Sequence, residues 1–179
     1  MMAAMEIALL TILLLTAWLA LRAVSTGPLP APGTHAPEFS LPDQHGTRHA
    51  LADHAGRWLV LYFYPRNGTP VCTREACAFR DGHARLRAAG AAVIGVSVDS
   101  QASHARFAAS HGLDFPLLAD TEGQVARRYG VLVDFKIWRM ARRHTFLIDP
   151  QGTVQKVFTR IDPSRHADEI IAELDRLAR

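Results

Sequence analysis

Residues 58–64 read WLVLYFY, an uninterrupted apolar run of strand-forming residues. A strand with one face in water alternates apolar and polar residues, whereas a strand that is buried on both faces does not. The run AVIGVSV at residues 92–98 has the same character. Because both faces of such strands must be covered, the sequence predicts an α/β protein with a central sheet flanked by helices.

The remaining patterns alternate between strand and helix. We expect, in chain order, a hairpin at 39–51, a helix at 73–89, a helix from 99 to 111, a strand at 115–118, a helix at 121–129, a hairpin at 145–158 and a last helix capped by Asp162. This mixture of βα units and hairpins predicts a mixed sheet. Phe135 and Trp138, in the segment 131–141, are expected to pack near the functional site or against a partner.

The N-terminal segment has a different character from the rest of the chain. Residues 7–21 carry no charge, and a helix over residues 1–21 would span about 30 Å. The uncharged run has the length of a signal-peptide core, but no Lys or Arg precedes it. We therefore expect a hydrophobic helix that anchors residues 1–24 in a membrane, on a side that the sequence leaves open, with export after signal cleavage as the alternative.

The Pro-rich segment 25–37 is expected to be an extended linker, and residues 38–179 to form one domain. The net charge of +3 is small, and the Lys and Arg residues are scattered, which argues against nucleic-acid binding. The nine histidines show no metal-ligand spacing, and no Gly-rich phosphate loop occurs, so we expect neither a metal nor another cofactor.

Cys72 stands where a Pro-bounded loop meets the start of a predicted helix. A free thiol has a pKa of about 8.5, and a helix N-terminus or a nearby arginine lowers that pKa by one to several units. Thr69 is three residues earlier, so its hydroxyl can turn back towards the sulfur. Pro65 and Pro70 bracket the loop, and we expect them to stiffen it and to shield the thiol from water. The pattern predicts a reactive thiolate.

Arg143 is the candidate cation for this thiolate. It precedes the predicted strand at 145–148, and we expect a parallel neighbouring strand to bring it to the sheet edge that holds Cys72. Arg142 is the rival for this role. Glu75 either orients such an arginine or simply favours the helix dipole.

Cys77 is the only other cysteine of the chain. Residues five apart in a helix point about 140° apart, and their Cα atoms are roughly 8 to 9 Å apart. A disulfide requires less than about 7 Å. If Cys72 and Cys77 bond, the first turns of the helix must therefore melt. The alternative is that Cys77 is a core residue, in which case an external thiol would have to react with oxidised Cys72.

Several motifs together resemble the peroxiredoxins, most closely the bacterioferritin-comigratory-protein, or peroxiredoxin Q, branch. They are PxxxTxxC at 65–72, TREAC at 73–77, FRD at 79–81 and RHTFLID at 143–149. The resemblance covers about residues 35–179 and leaves out the apolar N-terminus. Two departures from the family pattern are Gly68, where a bulky residue is common, and Val71, where glycine is common.

The resemblance implies a thioredoxin-like fold and a thiol peroxidase that reduces hydrogen peroxide and organic hydroperoxides. It implies that Cys72 is the peroxidatic cysteine and that Cys77 resolves it through an intramolecular disulfide. Pro65, Thr69 and Arg143 would form the activating set. Thioredoxin or a similar dithiol protein would be the reductant, and the protein would be a monomer or a weak dimer.

Two other functions use the same thiol. A thiol–disulfide oxidoreductase is disfavoured, because the cysteines are spaced CxxxxC and such enzymes use CxxC. A membrane-tethered redox sensor would pass its oxidation to a partner and would not turn over. Peroxide consumption in the presence of a dithiol reductant separates these functions.

Overall fold

The computed structural model describes residues 27–135 and 138–177. The elements follow in chain order: β1 (Ser40–Pro42), β2 (Arg48–Ala50), β3 (Trp58–Phe63), α1 (Pro70–Ala88), β4 (Ala91–Ser97), α2 (Gln101–His111), β5 (Leu117–Ala119), α3 (Gln124–Arg128), β6 (Leu132–Asp134), β7 (Arg139–Ala141), β8 (His144–Ile148), β9 (Val154–Phe158) and α4 (His166–Leu177). A single 3₁₀ turn (Leu51–His54) follows β2.

The central sheet has the strand order β5-β4-β3-β8-β9. Strands β5, β4 and β3 run parallel, whereas β8 is antiparallel to β3 and β9 is antiparallel to β8. The predicted mixed sheet is therefore confirmed. The two predicted buried runs form neighbouring strands inside this sheet. Strand β3 lies between β4 and β8, β4 lies between β5 and β3, and both strands are buried.

The two faces of the sheet are covered differently. Helices α1, α2 and α4 cover one face, where Tyr62, Phe79 and Ile170 belong to one buried cluster. The short helix α3 and the β1–β2 and β6–β7 hairpins cover the other face, where Phe63, Tyr129 and Phe146 meet. The thiol-bearing helix therefore lies on the face that three helices cover.

Several elements differ from those predicted from sequence. Helix α1 begins at Pro70 and not at residue 73, because proline is favoured in the first turn of a helix. Helix α4 begins at His166, since Asp162 closes a turn in which its side chain accepts hydrogen bonds from Ser164. The β6–β7 hairpin was not predicted.

Part of the predicted linker belongs to the folded body. The Gly33 N–H donates to the Val154 carbonyl at 2.7 Å, and the Val154 N–H donates to the Thr34 carbonyl at 2.9 Å. Ala36 is buried and donates to the Gly152 carbonyl at 2.8 Å. The last residues of the segment predicted to be an extended linker are consequently fixed against β9 and the turn before it, whereas the linker bounds stay a prediction.

The hydrophobic segment at residues 1–24, predicted as a membrane anchor or signal sequence, lies outside the described residues. Within residues 27–135 and 138–177, no helix has the length and apolar character needed to cross a bilayer.

Candidate active site

The loop between β3 and α1 delivers Cys72 to the first turn of the helix. Thr69 is the N-cap residue in extended conformation, and Pro70 occupies the first helical position. Gly68 has φ +72°, a left-handed conformation that a side chain disfavours, so this departure from the family pattern suits the backbone. Cys72 is the third helical residue, and only 2% of its surface is exposed. The thiol therefore lies at the positive end of the helix dipole and is shielded from water.

Arg143 reaches the same sulfur from the sheet. Its Nη2 donates a hydrogen bond to Cys72 Sγ at 3.0 Å, while Arg142 is exposed. The expected contact is present, but the expected strand direction is wrong. Because β8 is antiparallel to β3 and His144 pairs with Phe63, residue 143 lies at the carboxyl end of β3. A parallel strand would have placed it at the opposite edge.

Glu75 completes this arrangement from one turn further along α1. Its carboxylate is fully buried and accepts a hydrogen bond from Nη1 of Arg143, so the glutamate orients the guanidinium. Burial raises the pKa of Glu75 to about 7, although Arg143 opposes this shift. Burial lowers the pKa of Arg143, but the Glu75 carboxylate and the Cys72 sulfur outweigh it and the net shift is upward. The guanidinium therefore stays charged between its two acceptors, the Cys72 sulfur and the Glu75 carboxylate.

Thr69 and Pro65 lie in the loop that leads to Cys72. The Thr69 hydroxyl donates to the Arg66 carbonyl at 3.3 Å and not towards Cys72. Pro65 is half-buried where the chain leaves the sheet. The activating roles expected for these two residues stay predictions.

Cys77 lies on the same unbroken helix and is half-buried, and both thiols are free. Helical geometry separates the Cα atoms of Cys72 and Cys77 by roughly 8 to 9 Å. That distance exceeds the limit of about 7 Å for a disulfide. In this conformation the two cysteines cannot bond.

Two aromatic residues of the 131–141 segment are exposed. Phe135 and Trp138 stack on each other with ring centroids 5.4 Å apart, and 47% and 42% of their surfaces are exposed. Their predicted packing near the functional site or against a partner stays a prediction.

Sequence reasoning left two parts of the site undecided or unseen. Glu75 falls on the buried stripe that includes Cys72, Ala76 and Phe79, and this periodicity was the signal that could have selected it as a buried partner. His104 and Asn67, which fix the loop before Cys72, carried no recognisable signal, because the histidines were judged only by metal-ligand spacing.

A buried thiol held by a guanidinium at a helix N-terminus is suited to nucleophilic sulfur chemistry. No cluster that could hold a metal ion occurs among the described residues. On a sheet with this order and these flanking helices, the site defines a thiol-dependent oxidoreductase of the thioredoxin-like class.

Similarity to known proteins identifies the family within this class. The AhpC/TSA family matches residues 32–157, so the chain belongs to this family and, within it, to the peroxiredoxins of the Q/bcp branch. A putative peroxiredoxin bcp from Coxiella burnetii is 40% identical over 146 residues, which cover 79% of this chain and 97% of that protein. The resemblance seen in the sequence motifs is confirmed, and the chain is an enzyme of the peroxidase type.

Solved structures agree in fold. The peroxidoxin BcpB of Mycobacterium tuberculosis has a TM-score of 0.78 and 37% identity, with 84% of this chain and 99% of that chain covered. The Xanthomonas campestris bacterioferritin comigratory protein, whose structures address its alkyl peroxide reduction activity, has a TM-score of 0.72 and 35% identity. The match covers 79% of this chain and 92% of the Xanthomonas campestris chain. The thioredoxin-like fold with its mixed sheet is thereby confirmed.

Proposed function

We propose that this protein reduces hydrogen peroxide and organic hydroperoxides through Cys72 as the peroxidatic residue. The observation that carries the proposal is the 3.0 Å hydrogen bond from Arg143 to a buried sulfur in the first turn of α1. The thiolate attacks one peroxide oxygen, the O–O bond breaks, and the leaving alkoxide or hydroxide takes up a proton. The products are a sulfenic acid on Cys72 and an alcohol or water.

Arg143 supports this step in two ways. Its charge stabilises the thiolate before the reaction, and its N–H groups can stabilise the negative charge that develops on the leaving oxygen. Glu75 holds the guanidinium in place from within the protein, where the hydrogen bond is little screened by water. The arrangement is thus complete before the peroxide enters.

We further propose that Cys77 resolves the sulfenic acid. The Cys77 thiolate attacks the Cys72 sulfur, an S–S bond forms, and the hydroxyl group leaves as water after taking up a proton. Because both residues lie on one intact helix, the first turns of α1 must open before the bond can form. A dithiol protein of the thioredoxin type then supplies the two electrons that restore both thiols.

Organic hydroperoxides are included for two reasons. The related Xanthomonas campestris protein is described by its alkyl peroxide reduction activity. In this chain, Val71 directly precedes the peroxidatic cysteine, and 40% of its surface is exposed. This apolar side chain beside the thiol can contact the alkyl group of a substrate.

The decisive assay is peroxide consumption with thioredoxin, thioredoxin reductase and NADPH. We expect many turnovers per protein molecule, with one NADPH oxidised per peroxide consumed. Oxidation that stops after one equivalent of peroxide would instead support the membrane-tethered sensor. Disulfide exchange with a protein substrate but no peroxide consumption would support a thiol–disulfide oxidoreductase.

We also propose that residues 1–24 anchor the domain to a membrane, as the uncharged run at residues 7–21 suggests. A topology reporter fused after Arg179, combined with the mass of the mature N-terminus, tests this proposal. We expect the full-length mass in the membrane fraction. A shortened N-terminus in a soluble, exported fraction would overturn the anchor in favour of a signal sequence. The monomeric or weakly dimeric state implied by the resemblance stays a prediction.

A further inference from the structure

Asn67 connects the loop before Cys72 to helix α2. Its side-chain Nδ2 lies 2.9 Å from Ser103 Oγ and 3.1 Å from His104 Nδ1, and its Oδ1 accepts a hydrogen bond from the Tyr64 hydroxyl at 2.8 Å. Its backbone N–H donates to Asp99 Oδ2 at 2.9 Å. Both donors and the acceptor of this amide are therefore used, together with its main-chain donor.

His104 has a defined proton arrangement in this network. Its Nε2 lies 3.1 Å from the Leu118 carbonyl, which only accepts, so Nε2 carries the proton. Nδ1 is then an acceptor and faces the Asn67 amide. The ring is fully buried, and burial lowers the pKa of His104, which keeps the imidazole neutral. Tyr64, which is also buried, adds its hydroxyl 3.2 Å from the same nitrogen.

The loop has few other attachments. The side chain of Arg66 is exposed, as are Gly68 and Pro70, and the Thr69 hydroxyl bonds only within the loop, to the Arg66 carbonyl. The position of the loop therefore depends largely on Asn67. Residue 67 lies three residues before Pro70, the first residue of α1, so this attachment adjoins the turn that must open before a disulfide can form.

We propose that Tyr64, Asn67, Ser103 and His104 form a latch that positions the loop before Cys72 and sets how readily the first turn of α1 opens. The proposal rests on the proposed peroxidase function, in which Cys72 reacts with peroxide in the closed form and with Cys77 in the open form. The latch residues are positioning residues, since the hydrogen bond to the Cys72 sulfur comes from Arg143 and not from any of them. A closed latch favours peroxide reaction, and an open latch favours disulfide formation.

The two reaction steps should consequently respond in opposite directions when the latch is weakened. In Asn67→Ala we expect formation of the Cys72–Cys77 disulfide to accelerate by about tenfold. We expect the reaction of reduced protein with hydrogen peroxide to slow by a smaller factor, because most molecules stay closed but their loop is less well positioned. A tenfold change corresponds to about 1.4 kcal/mol, which is the size of one or two lost hydrogen bonds. Rapid-quench single turnovers with mass spectrometry separate the sulfenic acid from the disulfide.

Amide hydrogen exchange gives an independent reading of the opening. We expect the amides of residues 69–80 in reduced Asn67→Ala to exchange about ten times faster than in the wild type. Ser103→Ala and Tyr64→Phe, which remove single hydroxyl groups, should show smaller changes in the same directions. Combining Tyr64→Phe with Asn67→Ala should add little, because both remove the same hydrogen bond.

Val157→Ala is the matched control, since Val157 is half-buried on edge strand β9 and contacts the core on the other side of the sheet. It lowers stability without touching the loop. Opposite changes of the two rates in Asn67→Ala but not in the control support the latch. Rates that move together, or that match those of the control, overturn it. Absence of peroxide turnover in the wild type would instead contradict the proposed function itself.

Discussion

Replacing Cys72 by serine is expected to abolish peroxide turnover, with a loss of at least about 10⁴-fold in kcat/KM. A serine hydroxyl remains protonated at neutral pH, and its oxygen cannot accept the peroxide oxygen as sulfur does. Arg143 cannot compensate, because it stabilises charge on a nucleophile that must already be present. The measurement is the thioredoxin-coupled assay, with circular dichroism to show that the serine variant is folded.

Cys77→Ser is the matched control for this prediction, because it removes the other thiol from the same helix. We expect it to react once with peroxide at nearly the wild-type rate and then to accumulate sulfenic acid, since no intramolecular disulfide can form. Thioredoxin-dependent turnover should fall sharply. Substantial turnover in Cys72→Ser, or a loss of the first oxidation in Cys77→Ser, would reverse the two roles proposed for the cysteines.

Replacing Arg143 by methionine should slow the reaction of Cys72 with peroxide by about 10² to 10³-fold, in line with the loss of one donor to a developing oxyanion. The methionine keeps most of the side-chain volume and removes the charge. Glu75→Leu should lower the rate by a similar factor, because the guanidinium then has no buried carboxylate to hold it. Stopped-flow kinetics of the first oxidation measure both variants.

Glu75→Gln separates orientation from charge. The amide oxygen can still accept the hydrogen bond from Arg143, so we expect a rate within about tenfold of the wild type. A loss as large as that of Glu75→Leu would show that the negative charge, and not the hydrogen bond, is what the site requires.

The stability of this variant should also depend differently on pH. Burial raises the pKa of Glu75 from 4.5 to about 7, so between these values the folded protein holds a proton that the unfolded chain has lost. The free energy of unfolding therefore falls as the pH rises from 4.5 to 7. Glu75→Gln removes this pH-dependent loss. Relative to the wild type, we expect its free energy of unfolding to be higher above pH 7 than at pH 4.5 by on the order of 3 kcal/mol. Urea unfolding at pH 5 and pH 8 measures the difference, and an equal stability change at both pH values would contradict it.

Structure that depends on residues near one another in sequence could be predicted, because local patterns of apolar residues indicate burial and the type of element. The runs at 58–64 and 92–98 became the central strands β3 and β4, and the stripe through Cys72, Ala76 and Phe79 became the buried face of α1. The helix start at Pro70 also follows from local rules, although it lies three residues earlier than predicted.

Contacts between distant residues were predictable only in part. Arg143 was expected beside Cys72, yet the reason was wrong, because β8 runs antiparallel to β3. Strand direction depends on how the whole chain returns to the sheet, and the local pattern of β8 is the same in either direction. Glu75 had two equally good readings until its burial against Arg143 was seen.

The amino-acid sequence alone therefore determined the class of fold, the position of the reactive cysteine at a helix start and the spacing that forbids a disulfide in the intact helix. These properties follow from local hydrophobic periodicity and helix geometry. Only the tertiary structure decided which guanidinium reaches the sulfur, which carboxylate holds it, and that Asn67 and His104 meet across 37 residues of chain. Such pairs form because sheet order and helix packing bring them together, and no local signal in either segment encodes that meeting.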